Sequence, residues 1–180
     1  MFLDRDGVLN RYLPDAYIRS SAELELVPGA GAAIAILNFA NVPAIVISNQ
    51  QGVGKGLMSR RDLDEVEQAL RSMLSEAHGA TLARTYYCTH LRQEHCECRK
   101  PKPGMILQAI RDYKLDVAQT AFIGDSESDI QAAHAAGVGT KILVLTGATT
   151  EYRRGQFAVE PDSIFLTIET AVHGLLEERD

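Results

Sequence analysis

The sequence has no excess of positive charge, no long apolar run and few cysteines, and each absence excludes a class of protein. Its 18 Lys and Arg residues are outnumbered by 24 Asp and Glu residues, which argues against a general nucleic-acid-binding surface. No apolar run approaches the roughly 18 residues of a membrane span, and no signal-peptide pattern opens the chain. We therefore expect a cytoplasmic enzyme with a small-molecule substrate, without nucleic-acid or membrane partners, and a monomer by default.

The three cysteines lie close together, all between Cys88 and Cys98. An odd and tightly spaced set is a poor disulfide framework, and in a reducing compartment it is more typical of metal ligation. Cys88-x-His90 followed by Cys96-x-Cys98 supplies four ligands, the number that a closed tetrahedral zinc site needs. On spacing alone, His95 is a competing ligand.

Internal repeats, low-complexity tracts and linkers are also missing, so the 180 residues are expected to form one domain, 1–180. Short apolar segments rich in β-branched residues alternate with helical stretches, which favours an α/β fold with a doubly wound, mostly parallel sheet. The short first strand, three residues before Asp4, leaves open whether the native chain continues upstream. The other predicted strands cover 43–48, 83–88, 120–124 and 141–146, and the predicted helices cover 28–41, 59–79, 104–116, 128–137 and 168–178.

Acidic and hydroxyl side chains follow the ends of predicted strands. Doubly wound sheets bind ligands at the carboxyl ends of their strands, so four residues at predicted strand ends are expected to converge there: Asp4, Ser48, Cys88 and Asp125. Asp4 and Asp6 are like charges that repel unless a cation or a reaction uses both. With Asp125, and Asp129 as a further candidate, they predict a Mg²⁺ site. For the D-x-D pair alone, two solvated loop carboxylates are the alternative.

Two further segments are candidates for anion binding. The glycine-rich turn SNQQGVGKG, residues 48–56, can present backbone N–H groups and the Ser48 hydroxyl to phosphate oxygens. It is not a Walker A loop, because Lys55 is followed by glycine. In CRKPKPG, residues 98–104, prolines stiffen the segment that displays Lys100. Taken alone, each segment also fits an ordinary solvated loop.

Together these segments carry a family resemblance. In this order, FLDRDGVLN, ISNQQGVGKG, CRKPKPGM and FIGDSESDI resemble the four motifs of the haloacid dehalogenase (HAD) superfamily of phosphatases. The resemblance implies an HAD-like Rossmannoid fold, and the segments after Asp6 and Ser48 are too short for a large cap domain. With C-x-H and C-x-C running into RKPKPG, the chain is similar to the zinc-containing branches of heptose-bisphosphate and histidinol-phosphate phosphatases.

The resemblance implies a Mg²⁺-dependent phosphomonoesterase that works through an aspartyl-phosphate. Asp4 would be the nucleophile, and Asp6 would be the general acid and then the general base, with a raised pKa. Ser48 and Lys100 would bind the transferring phosphoryl group. Asp4, the backbone carbonyl of Asp6, and Asp125 would hold Mg²⁺.

The resemblance also implies substrate contacts and a structural zinc ion in the loop 88–98. Asp129 would fix local geometry rather than ligate Mg²⁺. The segment RYLPDAYI, residues 11–18, resembles the family's substrate loop. The implied substrate-binding residues are Asn49, Gln50, Gln51, Arg99 and Tyr17, and the implied zinc ligands are Cys88, His90, Cys96 and Cys98.

The substrate stays open between the two branches. The short loop between His90 and Cys96 resembles the histidinol-phosphate branch, whereas KPKPGM and GVGTKILVLTG resemble the heptose branch, which we favour. Ser126 stands after Asp125 where both branches often carry Lys or Arg, which puts the handling of a second phosphate in doubt. The expected activity is removal of the C7 phosphate from D-glycero-D-manno-heptose 1,7-bisphosphate, and hydrolysis of histidinol phosphate is the alternative. A receiver-type phospho-acceptor signalling domain is the alternative from another class.

Overall fold

The computed structural model describes residues 1–177, which contain a six-stranded parallel sheet. The spatial order of the strands is β3-β2-β1-β4-β5-β6, so the chain builds outward from β1 in one direction and then in the other. This order places a topological switch point between β1 and β4. The predicted parallel, doubly wound sheet is confirmed. The strands are β1 (Phe2–Leu3), β2 (Ile45–Asn49), β3 (Arg84–Cys88), β4 (Ala121–Gly124), β5 (Thr140–Val144) and β6 (Ser163–Phe165).

Helices cover both faces of the sheet because neighbouring strand residues point to opposite sides. Leu3, for example, lies in the apolar layer with the first, third and last α-helices, whereas Phe2 lies in the layer with the fourth and fifth. Burial on both faces explains why β1 and β4 carry no polar side chain and why β2 begins with three apolar residues. The helices are α1 (Ala30–Phe39), α2 (Gln51–Gly54), α3 (Arg60–His78), α4 (Gly104–Tyr113), α5 (Glu127–Ala136) and α6 (Ile168–Glu177).

Helix starts follow the capping signals in the sequence. In α3, the backbone N–H of Asp62 donates to Ser59 Oγ at 3.1 Å, and the N–H of Ser59 donates to Asp62 Oδ2 at 2.7 Å. The helix ends at Gly79, whose φ of 62° is a left-handed value that glycine adopts readily. A second capping box, formed by Ser126 and Asp129, starts α5 and fixes the residues next to Asp125.

The boundaries of several elements differ from their predicted positions. α1 and α4 are shorter than expected, and α5 begins one residue earlier, at Glu127. Strand β6 was not predicted, because three partly exposed residues at a sheet edge carry too little apolar pattern. The predicted end of the last helix, Glu178, lies outside the described residues. Within residues 1–177, no helix is long and apolar enough to cross a membrane.

Candidate active site

Four polar side chains meet where strands end beside the switch point. Asp4 follows β1, Ser48 lies near the end of β2, Asp125 follows β4, and Lys100 is carried by the loop between β3 and α4. All four line one cavity of about 410 Å³. The structure therefore brings together Asp4, Ser48 and Asp125, as the strand pattern predicts, and adds Lys100 to them. Cys88, the fourth residue expected there, does not line this cavity and lies in the cysteine cluster described below.

Lys100 is the buried cation of this site, with 4% of its surface exposed. Its Nζ lies 2.9 Å from Asp4 Oδ1 and 2.5 Å from Asp129 Oδ1, and it donates to the Ile47 carbonyl at 2.8 Å. Burial alone would lower the pKa of Lys100, but the two carboxylates reverse this and raise it. The Asn49 side chain holds the Lys100 backbone through hydrogen bonds of 3.1 and 3.0 Å. Lys100 is therefore a fixed, permanently protonated group.

The acidic groups outnumber this cation. Oxygens of Asp4, Asp125 and Asp129 all lie within 4.8 Å of one another. Burial, opposed by Lys100 and reinforced by the other carboxylates, raises the pKa of Asp4 to about 6. Burial also raises the pKa of Asp125 well above its usual range, and repulsion from Asp129 and Asp4 adds to this. Three buried carboxylates balanced by only one lysine provide the oxygen donors and the excess negative charge that suit a hard divalent cation such as Mg²⁺.

Asp129 is already engaged by protein groups. Its Oδ2 accepts hydrogen bonds from the Ser126 hydroxyl at 2.6 Å and from the Ser126 and Asp125 backbone N–H groups at 3.1 and 3.3 Å. Its Oδ1 pairs with Lys100. Both oxygens therefore serve to cap α5 and to hold the lysine. This arrangement favours a geometric role for Asp129, as the resemblance implies.

Asp125 is enclosed by backbone from two loops. The Ala148 N–H, in the loop after β5, donates to Asp125 Oδ2 at 2.5 Å. A Cβ atom at Gly7 or Gly147 would overlap the Asp125 carboxylate, and Gly7 also has a left-handed φ of 87°. Only glycine combines this φ with so close an approach. The two glycines thus let the backbone close around the carboxylate.

The Asp6 carboxylate is surrounded by one guanidinium group and two side-chain amides. Its carboxylate pairs with the Arg5 guanidinium and accepts hydrogen bonds from Asn10 Nδ2 at 2.8 Å and Gln50 Nε2 at 2.7 Å. Burial would raise the pKa of Asp6, but Arg5 and these hydrogen bonds outweigh burial and lower it. The expectation of a raised Asp6 pKa is therefore wrong for this arrangement, because the residue between the two aspartates supplies a buried cation.

Three of the expected substrate contacts line the cavity, namely Tyr17, Asn49 and Arg99. The amide group of Asn49 is occupied by the Lys100 backbone, as described above. Nη1 of Arg99 is buried and has no hydrogen-bond partner among the described residues. Of these three residues, Asn49 is therefore the one whose polar group is already occupied by the protein.

The other two expected contacts, Gln50 and Gln51, do not line the cavity. Gln50 is 1% exposed, and its Nε2 donates to Asp6 and, at 3.2 Å, to Ser48 Oγ. Gln51 begins the short helix α2. The structure thus places Gln50 behind the site, where it links Asp6 to Ser48, and not at the surface that a ligand would touch.

Lys55 is a cavity residue to which the sequence assigned no role. Its Nζ lies 5.3 Å from the centre of the Tyr17 ring, a cation–π distance. A Cβ at Gly52 would lie 3.0 Å from the same ring, so this glycine lets Tyr17 pack against α2. In the sequence, Lys55 is followed by glycine where a Walker A loop has Ser or Thr. The sequence signal that could have identified Lys55 as a cavity residue is a single cation in a glycine-rich turn that follows a strand.

The cysteine loop forms a second cluster beside this site. The sulfurs of Cys88, Cys96 and Cys98 lie 3.2 to 3.6 Å apart, and His90 Nδ1 is 3.2 Å from Cys98 Sγ. Burial raises the pKa of the Cys96 thiol, but hydrogen bonds from Cys98 and the neighbouring backbone outweigh it and lower the pKa to about 7. These four residues form one potential metal-binding group, to which His95 does not belong. Four thiol and imidazole donors at these separations fit zinc.

Comparisons with known proteins point to one family. A family model described as HAD-hydrolase-like matches residues 97–171. The D-glycero-beta-D-manno-heptose-1,7-bisphosphate 7-phosphatase of Haemophilus ducreyi is 37% identical, over 82% of this chain and 83% of its own length. The D-glycero-alpha-D-manno-heptose-1,7-bisphosphate 7-phosphatase of Mycobacterium tuberculosis H37Rv is also 37% identical, over 83% of this chain and 80% of its own length.

A solved structure resembles the whole chain. It is the crystal structure of D,D-heptose 1,7-bisphosphate phosphatase from B. bronchiseptica, complexed with magnesium and phosphate. It shares 32% sequence identity with this chain, covers 99% of this chain and 98% of its own, and gives a TM-score of 0.92. The similarity in fold therefore extends over the segments that carry the switch point and both candidate clusters.

Proposed function

Since the chain belongs to the heptose-1,7-bisphosphate 7-phosphatases, a family of HAD-like phosphatases, we propose that it removes the C7 phosphate from D-glycero-D-manno-heptose 1,7-bisphosphate. The observation that carries the proposal is the placement of Asp4 at the switch point, between Lys100 and Asp125, in a cavity that also holds Ser48. A nucleophilic carboxylate, a fixed cation and a metal-type carboxylate are the groups that phosphoryl transfer needs.

Asp4 is the nucleophile in this proposal. Its Oδ atom attacks phosphorus while the bond from phosphorus to the C7 oxygen breaks, and Asp6 gives its proton to the leaving alkoxide. Asp6 then takes a proton from the water that attacks the aspartyl-phosphate, which releases inorganic phosphate and restores Asp4. Lys100 and Ser48 hold the phosphoryl oxygens, where negative charge is spread in the transition state.

The two duties of Asp6 need opposite protonation states. Its contacts with Arg5, Asn10 and Gln50 favour the carboxylate, which is the form that a general base requires. A phosphate dianion bound beside Asp6 acts in the other direction, because a nearby negative charge raises the pKa of a carboxyl group. Substrate binding therefore favours the protonated form of Asp6. Once Asp6 has given its proton to the leaving alkoxide, it is the carboxylate that the second step needs as a base.

Asp4, Asp125 and the backbone carbonyl of Asp6 are the residues that we expect to hold Mg²⁺. When bound, the ion neutralises the carboxylates that otherwise repel an anionic substrate. The raised pKa values of Asp4 and Asp125 are caused first by burial and then by repulsion from neighbouring carboxylates, and a bound dication would stabilise the charged form of both groups. The magnesium and phosphate in the B. bronchiseptica structure are consistent with the same chemistry.

Two cations that line the cavity, Lys55 and Arg99, support a bisphosphate substrate. Lys55 lies over Tyr17, and Arg99 has an unpartnered Nη1 within the described residues. Lys100 is assigned to the phosphate that is transferred, so Lys55 and Arg99 are the cavity cations that we assign to a second phosphate group. They offset the absence of charge at Ser126. Histidinol phosphate has a single phosphate. Its second charged group is an ammonium group, which is positively charged, so neither Lys55 nor Arg99 would attract it.

We propose that Cys88, His90, Cys96 and Cys98 hold a structural zinc ion, which closes the loop 88–98. A closed set of four protein ligands leaves no position for substrate, as in structural zinc sites. The loop leads directly into Arg99 and Lys100, so the metal would fix both. Reduced thiols also favour the cytoplasm, where we expect the protein to act as a single-domain monomer.

Parallel kinetics test the substrate assignment. The purified protein with Mg²⁺ is given both anomers of the heptose bisphosphate, and histidinol phosphate, and phosphate release is measured. We expect kcat/KM to be higher for at least one heptose anomer than for histidinol phosphate. A preference for histidinol phosphate would overturn the assignment but not the phosphatase mechanism.

A further inference from the structure

Arg5, the residue between the two aspartates, is completely buried and does not line the cavity. Its Nη2 donates to both oxygens of Asp6, at 3.0 and 3.1 Å, and to Gln50 Oε1 at 3.0 Å. Gln50 in turn donates to Asp6. The Asp6 carboxylate is therefore held by Arg5 and Gln50, which also hold each other, and by Asn10, and none of the three lines the cavity.

Arg5 is supported on its other side by strand β3 and helix α3. Its guanidinium carbon lies 5.6 Å from the centre of the Tyr87 ring. The Tyr87 hydroxyl donates to Glu67 Oε2 at 2.5 Å. Glu67 is itself fixed by the Thr85 hydroxyl at 2.6 Å and by Arg71 at 2.7 Å. A chain of contacts thus runs from Asp6 through Arg5 and the Tyr87 ring to the third helix.

Stability alone is a poor explanation for this buried arginine. Nη1 of Arg5 has no hydrogen-bond partner among the described residues, and burying a cation with one unpaired nitrogen is unfavourable. Well-packed apolar residues of similar volume are often as stable as a buried ion pair. The guanidinium instead fixes the direction of one carboxyl group, that of Asp6.

We propose that Arg5, braced by Tyr87 and Glu67, is a positioning residue that orients the Asp6 carboxyl group for proton transfer to the leaving alkoxide. The inference rests on the proposed function, in which Asp6 is the general acid. In that step the bond from phosphorus to the substrate oxygen breaks, its electron pair stays on oxygen, and the Asp6 proton neutralises it. Arg5 itself touches neither the phosphate nor the sugar.

The dependence of rate on the leaving group distinguishes this role from a purely structural one. An alkyl phosphate such as the heptose bisphosphate has a strongly basic leaving oxygen and needs an acid, whereas p-nitrophenyl phosphate has a weakly basic one and needs it much less. The kcat/KM value reports the steps up to departure of the leaving group. A misplaced acid therefore lowers kcat/KM for the alkyl substrate more than for the aryl substrate.

The first experiment compares Arg5→Lys with the wild type on both substrates. Lysine keeps the charge but cannot reach Asp6 and Gln50 with one planar group. We expect kcat/KM for the heptose bisphosphate to fall at least tenfold and that for p-nitrophenyl phosphate less than threefold. In an Asp6→Asn background, Arg5→Lys should change kcat/KM for the two substrates by the same factor, because the acid that Arg5 orients is already absent. Equal losses on both substrates would overturn the proposal.

A second pair of variants keeps the test decisive if Arg5→Lys does not fold. Tyr86 and Tyr87 are neighbours in β3, and each donates its hydroxyl to a carboxylate, Tyr86 to Asp112 at 2.6 Å and Tyr87 to Glu67. We expect Tyr87→Phe to lower the alkyl-to-aryl ratio of kcat/KM and the matched Tyr86→Phe to leave it unchanged. Identical ratios in both variants would overturn the inference. A wild type inactive on the bisphosphate would instead refute the proposed substrate.

Discussion

At the scale of single residues, the motifs predicted which groups belong to the site but not how each is oriented. Asp4 and Asp125 could be placed together from the sequence, because each follows an apolar strand of a parallel sheet. The direction of Asp6 could not, because it depends on Gln50 and on the Arg5 side chain, which are brought to it only by the fold. The same tertiary contacts explain why Gln50, which was expected to contact the substrate, is buried and hydrogen-bonded to Asp6.

The variant Asp6→Asn tests the acid–base assignment. Asparagine is nearly the same size but cannot give or take the proton, so we expect kcat for the heptose bisphosphate to fall about 10²- to 10⁴-fold. Phosphate release is the measurement, with thermal unfolding to show that the variant is folded. Unchanged phosphate chemistry would favour the receiver-type alternative, which has no need of a leaving-group acid.

The variant Lys55→Met tests the second-phosphate contact. Loss of one charge-assisted contact of about 1.5–3 kcal/mol should raise KM for the heptose bisphosphate about 10- to 100-fold and leave KM for p-nitrophenyl phosphate unchanged. Lys114→Met, at an exposed lysine at the end of α4, is the matched control and should change neither value. Equal effects of the two lysine variants on KM would show that Lys55 does not contact the second phosphate.

The variant Asp125→Asn separates metal binding from folding. The raised pKa of Asp125 means that its charge destabilises the folded protein above that pKa, and that this effect is lost as the pH falls and the group is protonated. In chelator-treated protein near pH 8, we expect the variant to melt a few degrees higher than the wild type, at about 2–4 °C per kcal/mol. The difference should shrink at lower pH.

Added Mg²⁺ completes that experiment. The ion should raise the melting temperature of the wild type and not that of Asp125→Asn, and the variant should lose phosphatase activity. Equal Mg²⁺ stabilisation of both proteins would show that the ion binds elsewhere.

At the scale of structural elements, the strong periodic patterns were predicted and the weak ones were not. Helix α3 was placed within a residue at both ends, because a capping box and a terminal glycine mark it. Strand β6 left no comparable signal. The loop 88–98 was recognised by its cysteines rather than by any secondary-structure pattern, and the structure brings the four expected ligands together.

The variant Cys96→Ser tests whether the zinc loop supports the active site. A serine is a poor zinc ligand, so we expect elemental analysis to show loss of the zinc and activity to fall, because the loop no longer fixes Arg99 and Lys100. The neighbouring variant His95→Ala, outside the ligand group, should keep both zinc and activity. Full activity in zinc-free Cys96→Ser would contradict a supporting role for the loop.

At the scale of the whole molecule, the strand order explains why residues far apart in the sequence share one site. Crossing from β3 back to β4 places the ends of β1 and β4 side by side, with helices directed away from the gap between them. The alternation of strands and helices predicted this class of sheet. It did not predict the cavity wall formed by Lys55 and Tyr17, because that wall depends on how the segment after Asn10 packs against α2.

Trapping the covalent intermediate tests the central claim most directly, since all of the proposed chemistry requires phosphate to reach Asp4. Protein in turnover with the heptose bisphosphate and Mg²⁺ is treated with borohydride, which reduces an aspartyl-phosphate to homoserine, and the N-terminal peptide is analysed by mass spectrometry. The account predicts homoserine at position 4 in the wild type, dependent on substrate and absent from Asp4→Asn. Turnover with unmodified Asp4, or with the reduced residue at any other position, would contradict it.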